Sequence, residues 1–344
     1  MALSARRDNS GDATFPGLSD AQFGSIAEER LGTSTLIQAP GMASLAFPLV
    51  DLGFDFYLRR IRTLRVHPVQ VKARNFLDVD QLFQVSVSSL HPDPNGYVVL
   101  PFVPSPDYQL APKLWIIPIP QFLRLAKPHD RGYVFSAHLD PRSDEPATPF
   151  LVDADRLATQ WFARIPGWKG TVQAPPIEAQ DPYEQVSKRA ARPFGKSGEL
   201  WLGSQLMGRA LDGVCIAQDR LRLDCVDLLL HDLTSFSLLG LALHACTITA
   251  RGTVEARVRY STYFVDDRLL TVLLVYRPDG SLHDLAFLVP SVEVVKGRLY
   301  NDRGDAGYVF NFRMDPLADR MRRYAVPAKD LADAILDRLR RPSR

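Results

Sequence analysis

Apolar and polar side chains alternate along the first half of the chain in short runs that read as strands. Val69, Val71 and Ala73 are apolar while Gln70 and Lys72 between them are polar. A strand over 68–73 would therefore carry hydrocarbon on one face and an amide and an ammonium on the other. Phe54–Leu58 alternates in the same way, with Asp55 and Tyr57 sharing a face. Phe83–Leu90, Tyr97–Val103 and Leu114–Pro118 continue the series, and Asp93-Pro94-Asn95-Gly96 is a turn signal between two of them. Helical spacing brackets these strands. Ser19-Asp20 is an N-cap signal ahead of Phe23, Ile26, Ala27 and Leu31, Pro40-Gly41 ends that helix, and Asp153–Ile165 reads as a closing amphipathic helix. The order predicts an α/β fold with a mixed central sheet flanked by helices.

The pattern occurs twice. "RGYVFSAHLDPRSD" (131–144) returns as "AGYVFNFRMDPLAD" (306–319), and "GYVVLPFVPSPDYQLAPKLWIIP" (96–118) lies over "RLLTVLLVYRPDGSLHDLAFLVP" (268–290) at nearly the same offset. "DADRLATQWFARI" likewise matches "PAKDLADAILDRL". Repeats in register predict two tandem domains, 19–167 and 197–344. Residues 1–18 read as a flexible tail, and the Pro-rich stretch 168–196 reads as a linker.

Composition narrows the function classes only slightly. The chain has 344 residues, 46% hydrophobic and 23% charged, with a net charge of +2. That charge is too small to predict a polyanion partner, so a nucleic-acid partner has to rest on local charge. Cys215, Cys225 and Cys246 form no CxxC pair, which argues against a zinc knuckle or a disulfide framework. The amino terminus lacks the apolar core of a signal peptide and the apolar runs are interrupted, so a cytoplasmic protein with no membrane span is expected. Neither a GxGxxG nor a Walker-type loop is present.

The candidate chemistry lies in "FDFYLRRIRTLRVHPVQVKAR" (54–74). If its two strands are neighbours, Asp55, Gln70 and Lys72 converge on one patch. Burying such groups without partners costs roughly 2–7 kcal/mol each in an apolar reference, so an open cleft is expected. "DLGFD" followed by "QVK" resembles the PD-(D/E)XK nuclease superfamily, in the branch where Gln replaces the acid of the third motif. The resemblance implies restriction-endonuclease-like domains and a metal-dependent nuclease hydrolysing DNA. On that reading Asp55, Gln70, the Val71 carbonyl and Glu28 would hold Mg²⁺ or Mn²⁺, with Glu29 as the neighbouring candidate on the same helix. Lys72 would orient the attacking water. Arg59, Arg60, Arg62, Arg65 and Arg74 form a basic cluster expected to meet phosphates of DNA, or of RNA.

In the second repeat Glu199 and Asp227 match Glu28 and Asp55, but Ala242 and His244 stand for Gln70 and Lys72. That copy is expected to be a degenerate second site acting as a pseudo-subunit, with a homodimer or a partner protein as further assembly. The competing reading is a catalytically inactive module, binding nucleic acid or protein, on a degenerate nuclease fold.

Overall fold

The computed structural model describes residues 19–50, 52–88, 90–104, 106–130, 132–139, 144–165, 197–209, 213–219, 224–259, 263–296 and 307–341. The proposed tail and linker lie outside the described residues. The chain opens with helix α1 (Asp20–Gln38) and strands β1 (Ala43–Pro48), β2 (Phe56–Arg60), β3 (Val66–Val71), β4 (Leu82–Val87), β5 (Tyr97–Pro101) and β6 (Lys113–Pro118). Helix α2 (Ile119–Leu125), β7 (Lys127–His129), β8 (Gly132–His138), β9 (Leu151–Asp153) and α3 (Leu157–Arg164) follow. Helix α4 covers 197–209. Then come β10 (Val214–Asp219), β11 (Leu228–Asp232), β12 (Leu238–Thr247), β13 (Thr253–Arg259), β14 (Leu269–Tyr276) and β15 (Leu282–Pro290). Helix α5 (Ser291–Val295), β16 (Gly307–Arg313), α6 (Asp319–Arg322), β17 (Ala325–Pro327) and α7 (Leu331–Arg340) complete the order. The structure is mixed α/β, with large mixed sheet flanked by helices, as the alternation predicted.

The chain divides into two compact units. Among the described residues, the first holds those up to Ala39, Gly53–Asp55 and the stretch 69–165; the second holds Pro40–Val50, Leu52, Phe56–Pro68 and everything from 197 onward. In the first unit α1 starts with a capping box: Ser19 Oγ accepts from Gln22 N at 3.3 Å, and the Gln22 side chain accepts from Ser19 N at 2.8 Å. At its other end Gln38 accepts from Ala158 N at 3.0 Å and donates to Ala154 O at 2.6 Å, so one amide side chain stitches α1 to the start of α3. The sheet of this unit runs β3-β5-β6-β9, with β3 and β5 parallel and the other pairs antiparallel. The smaller sheet β4-β8-β7 supplies Phe83 and Phe135, which pack on the buried Trp115 of β6 at ring distances of 5.1 and 5.7 Å.

The second unit carries the order β17-β15-β14-β12-β11-β10-β1-β2. Its β17-β15-β14-β12 portion has the same order and the same single parallel pair as β9-β6-β5-β3. Strand β14, "LLTVLLVY", is buried along its whole length because both faces are covered. On one face lie Leu202 and Leu206 of α4 with Ile335, Leu336 and Leu339 of α7. On the other lie Phe310 and Phe312 of β16, with Phe287 and Met321.

Strand β1 enters this unit by pairing antiparallel with β10, Phe47 opposite Gln218. An ionic knot beside that seam fixes it. The fully buried Arg59 of β2 donates two hydrogen bonds to Asp224, at 2.6 and 2.7 Å, and one to Asp219 at 2.7 Å. Ser44 Oγ of β1 donates to Asp219 at 2.5 Å, and the Arg62 and Val226 backbone N–H groups donate to Asp224 at 2.8 and 3.1 Å. Among the described residues no helix is long and apolar enough to cross a membrane.

Removing one partner of a buried, hydrogen-bonded ion pair leaves a stranded charge and costs about 3–5 kcal/mol. Arg59→Ala is therefore expected to destabilise the protein by about that amount in urea denaturation. An unchanged midpoint would show that the knot carries no stability.

Candidate functional site

Asp55 stands just before β2, behind Gly53 in a left-handed conformation (φ 92°) that only glycine adopts without strain. Its backbone N–H donates to Val69 O at 2.9 Å, and its carboxylate accepts from Val71 N at 2.5 Å. One side chain thus clasps the end of β3. Lys72, the next residue, donates its backbone N–H to Val99 O at 3.0 Å and is half-buried. Asp55 thus lies against the end of β3, which carries Gln70, and Lys72 follows directly after that strand.

The expected open cleft is not formed at Gln70. Gln70 is 1% exposed, opposite Val98 in the parallel β3–β5 pair, with Val69 and Val71 buried on either side of it. Glu28 is half-buried on α1, its Oε1 lying 3.9 Å from where a Cβ on Gly24 would sit, so the carboxylate runs along its own helix; Glu29 is exposed. Magnesium takes hard oxygen ligands in octahedral geometry and keeps several waters. Of the proposed ligands, Asp55 Oδ2 already accepts the Val71 amide and Gln70 is buried. No group of three or more His, Cys, Asp or Glu suited to a metal occurs among the described residues.

The basic cluster is dispersed among different tasks. Arg59 is consumed by the ionic knot with no exposed surface, which overturns its expected role at phosphate. Arg74 is half-buried; its Nε donates to Gln84 O at 2.6 Å and its guanidinium sits 5.3 Å from the Phe76 ring centroid. Arg60 is half-buried and closes the β2–β3 hairpin by donating its N–H to Arg65 O at 3.0 Å. Arg62 and Arg65 alone of the five are exposed, both on that hairpin turn.

The second repeat reproduces the clasp. Asp227 donates its N–H to Leu241 O at 2.8 Å and accepts from Leu243 N at 2.7 Å. Glu199 is 6% exposed and accepts from Gln218 Nε2 at 3.0 Å. His244 Nε2 is covered and makes no hydrogen bond among the described residues; burial pushes its pKa down to about 4. The equivalents of Gln70 and Lys72 are absent here, yet the aspartate holds the same two backbone contacts.

Two cavities went unread in the sequence. One, about 580 Å³ in the first unit, is lined by Leu77, Gln81, Phe102, Leu110, Lys113 and Leu139 among others. The other, about 500 Å³ in the second unit, lies among the turns at Arg62–Arg65, Phe236–Leu238 and Val265–Arg268. Both are built from turns distant in sequence, which no local pattern announces. Arg59 directly follows the apolar run "FYL" and precedes Arg60, and its partners lie in another part of the chain. No protein-family model matches the chain, and no curated protein matches it.

Losing the clasp leaves a strand amide without its acceptor, at about 1–3 kcal/mol. Asp55→Ala and Asp227→Ala should each destabilise by about that much in chemical denaturation. A carboxylate kept only for catalysis would leave stability unchanged or raised when removed. His244 gives a pH signature. Its folded pKa lies near 4 against about 6.5 unfolded, so between those values the unfolded chain binds more protons and stability rises with pH. This contribution is complete above about pH 6.5 and is lost on acidification toward pH 4. His244→Leu should flatten that part of a stability–pH profile; an unaltered profile would show that the ring does not titrate in this window.

Proposed function

We propose that the chain is a non-catalytic nucleic-acid-binding protein made of two tandem copies of one restriction-endonuclease-like α/β domain. The observation that carries the reading is the duplicated clasp. Asp227 holds its strand as Asp55 does, although the residues beside it are Ala242 and His244. The aspartate therefore has a structural task that needs no metal, and the buried Gln70 fits packing better than turnover. Binding is supported by Arg62 and Arg65, which stay exposed on a turn while Arg59 is committed inside. Contacts of this kind neutralise phosphates and release counterions, so affinity falls steeply with salt.

One observation favours a second reading, metal-dependent hydrolysis of DNA. Asp55 does lie against the segment that bears Gln70 and Lys72, as that chemistry would require. A single assay separates the two. Supercoiled plasmid incubated with the full chain and Mg²⁺ or Mn²⁺ should stay intact, while labelled oligonucleotides bind in a salt-dependent manner. Nicking that disappears in Lys72→Ala would replace the binding reading with the hydrolytic one.

A further inference from the structure

We infer that the cavity between the Arg62–Arg65 and Phe236–Leu238 turns holds the phosphate of a nucleotide, free or within a single strand. The inference rests on the nucleic-acid reading and names its site. The cavity, about 500 Å³, falls within the size of ordinary small-ligand pockets. Its lining includes three arginines, Arg62, Arg65 and Arg268, and one acid, Asp266. Arg268 is largely committed: its guanidinium donates to the carbonyls of Leu238, Arg338, Leu339 and Arg341 at 2.8 to 3.3 Å and so caps the end of α7, which leaves the anion to Arg62 and Arg65. The carboxylate of Asp266 is turned to its own loop, accepting from Arg268 N at 2.8 Å. Arg65 is exposed and makes no ion pair among the described residues, which leaves its planar donors for an anion.

Phe236 supplies the second half of the recognition. Phe236 lines the cavity and is half-buried, and an aromatic residue near arginines is the pairing by which a base can stack while its phosphate is held. Both lips are stiff. Arg62 (φ 59°) and Phe236 (φ 56°) are held in the left-handed region, an uncommon conformation for such side chains that persists only when the surroundings over-determine it. Arg62 N is tied to Asp224 at 2.8 Å, and Leu64 packs where a Cβ on Gly240 would come within 2.7 Å of it. The third lip is pinned by Ser291, whose hydroxyl accepts from Asp266 N at 2.9 Å and donates to Asp266 O at 2.6 Å. A cavity whose backbone is held in place before a ligand arrives loses little backbone entropy in binding it.

The test uses the full chain in EDTA with fluorescein-labelled oligothymidylate, read by anisotropy, and thymidine monophosphate, read by calorimetry. Arg65→Glu should weaken binding at least about tenfold and lower the salt slope by about one. Arg65→Gln should show a smaller loss of the same kind. Phe236→Asn, which keeps a residue tolerant of positive φ, should weaken binding by about tenfold with less change in salt slope. Monophosphate binding with the same variant losses assigns the pocket to free nucleotides; binding of the oligomer alone assigns it to a strand. Thermal melts confirm folding, since Arg65 is exposed and makes no ion pair among the described residues. Oligomer binding unchanged in all three variants overturns the pocket while sparing the binding reading. Absence of binding by the unaltered chain to both probes overturns the two together.

Discussion

The second unit depends on a buried charge that could have been replaced by hydrocarbon. Arg59 has no exposed surface, and neither carboxylate that meets it has more than 6%. Taking an ion out of water costs several kcal/mol, so the group survives only because nearly every donor and acceptor is answered. Asp224 collects two guanidinium bonds and two backbone amides; Asp219 collects the guanidinium and a serine hydroxyl. Lysine could not replace arginine here, because a point charge cannot serve two carboxylates through a planar fork. What the knot contributes above all is register. A one-residue slip of β2 would turn Arg59 to the opposite face and strand two acids in the interior. Segments about 160 residues apart in sequence are thereby held in one alignment.

The aspartate clasp obeys a related logic on a smaller scale. Where the chain enters a strand, one backbone amide is left without a ladder partner, and a short acidic side chain arriving from the preceding turn can satisfy it. Asp55 does this for Val71 and Asp227 does it for Leu243. An acid before one strand and a lysine just past the end of the next then come together for architectural reasons. Gln70, between the buried valines Val69 and Val71, is itself almost wholly buried.

Much of the local structure was legible. The Ser19 cap, the Asp93–Gly96 turn and the strands around 68–73, 97–103 and 114–118 sit within two or three residues of their predicted places, because caps, turn residues and alternation are local forces. Strand β1, "ASLAFP", escaped because four successive residues are buried, the small polar Ser44 among them, and such a run carries no alternation. Strands β7 and β9 have three residues each, too few for any period. The misreading of Arg59 has a different origin. Its neighbours suggested a solvated basic stretch, and only partners from another part of the chain turn it inward. Compactness groups β1 and β2 with residues from 197 onward, although the chain reaches them directly after α1, and composition cannot reveal that exchange.

Backbone strain gathers around the two cavities described above. Among the described residues the non-glycine positions with positive φ are Arg62, Asp80, Gln81, Tyr108 and Phe236. Arg62 and Phe236 line the cavity of the second unit, Gln81 lines that of the first beside Asp80, and Tyr108 falls between the lining residues Asp107 and Gln109. Each such conformation costs on the order of 1–3 kcal/mol, and a turn under no other constraint would relax or use glycine. Elsewhere the chain does use glycine, at Gly53, Gly213 and Gly252 for instance, where the same backbone region is reached without a side chain. Side chains retained on strained turns, and gathered at the two cavities, are spent on what those side chains present. In the first unit that is a largely apolar hollow with Lys113 and Asp107 in its lining; in the second it is arginine beside phenylalanine. The strands supply rigidity and the clasped aspartates supply order. The turns are the parts of such a fold freest to vary in sequence.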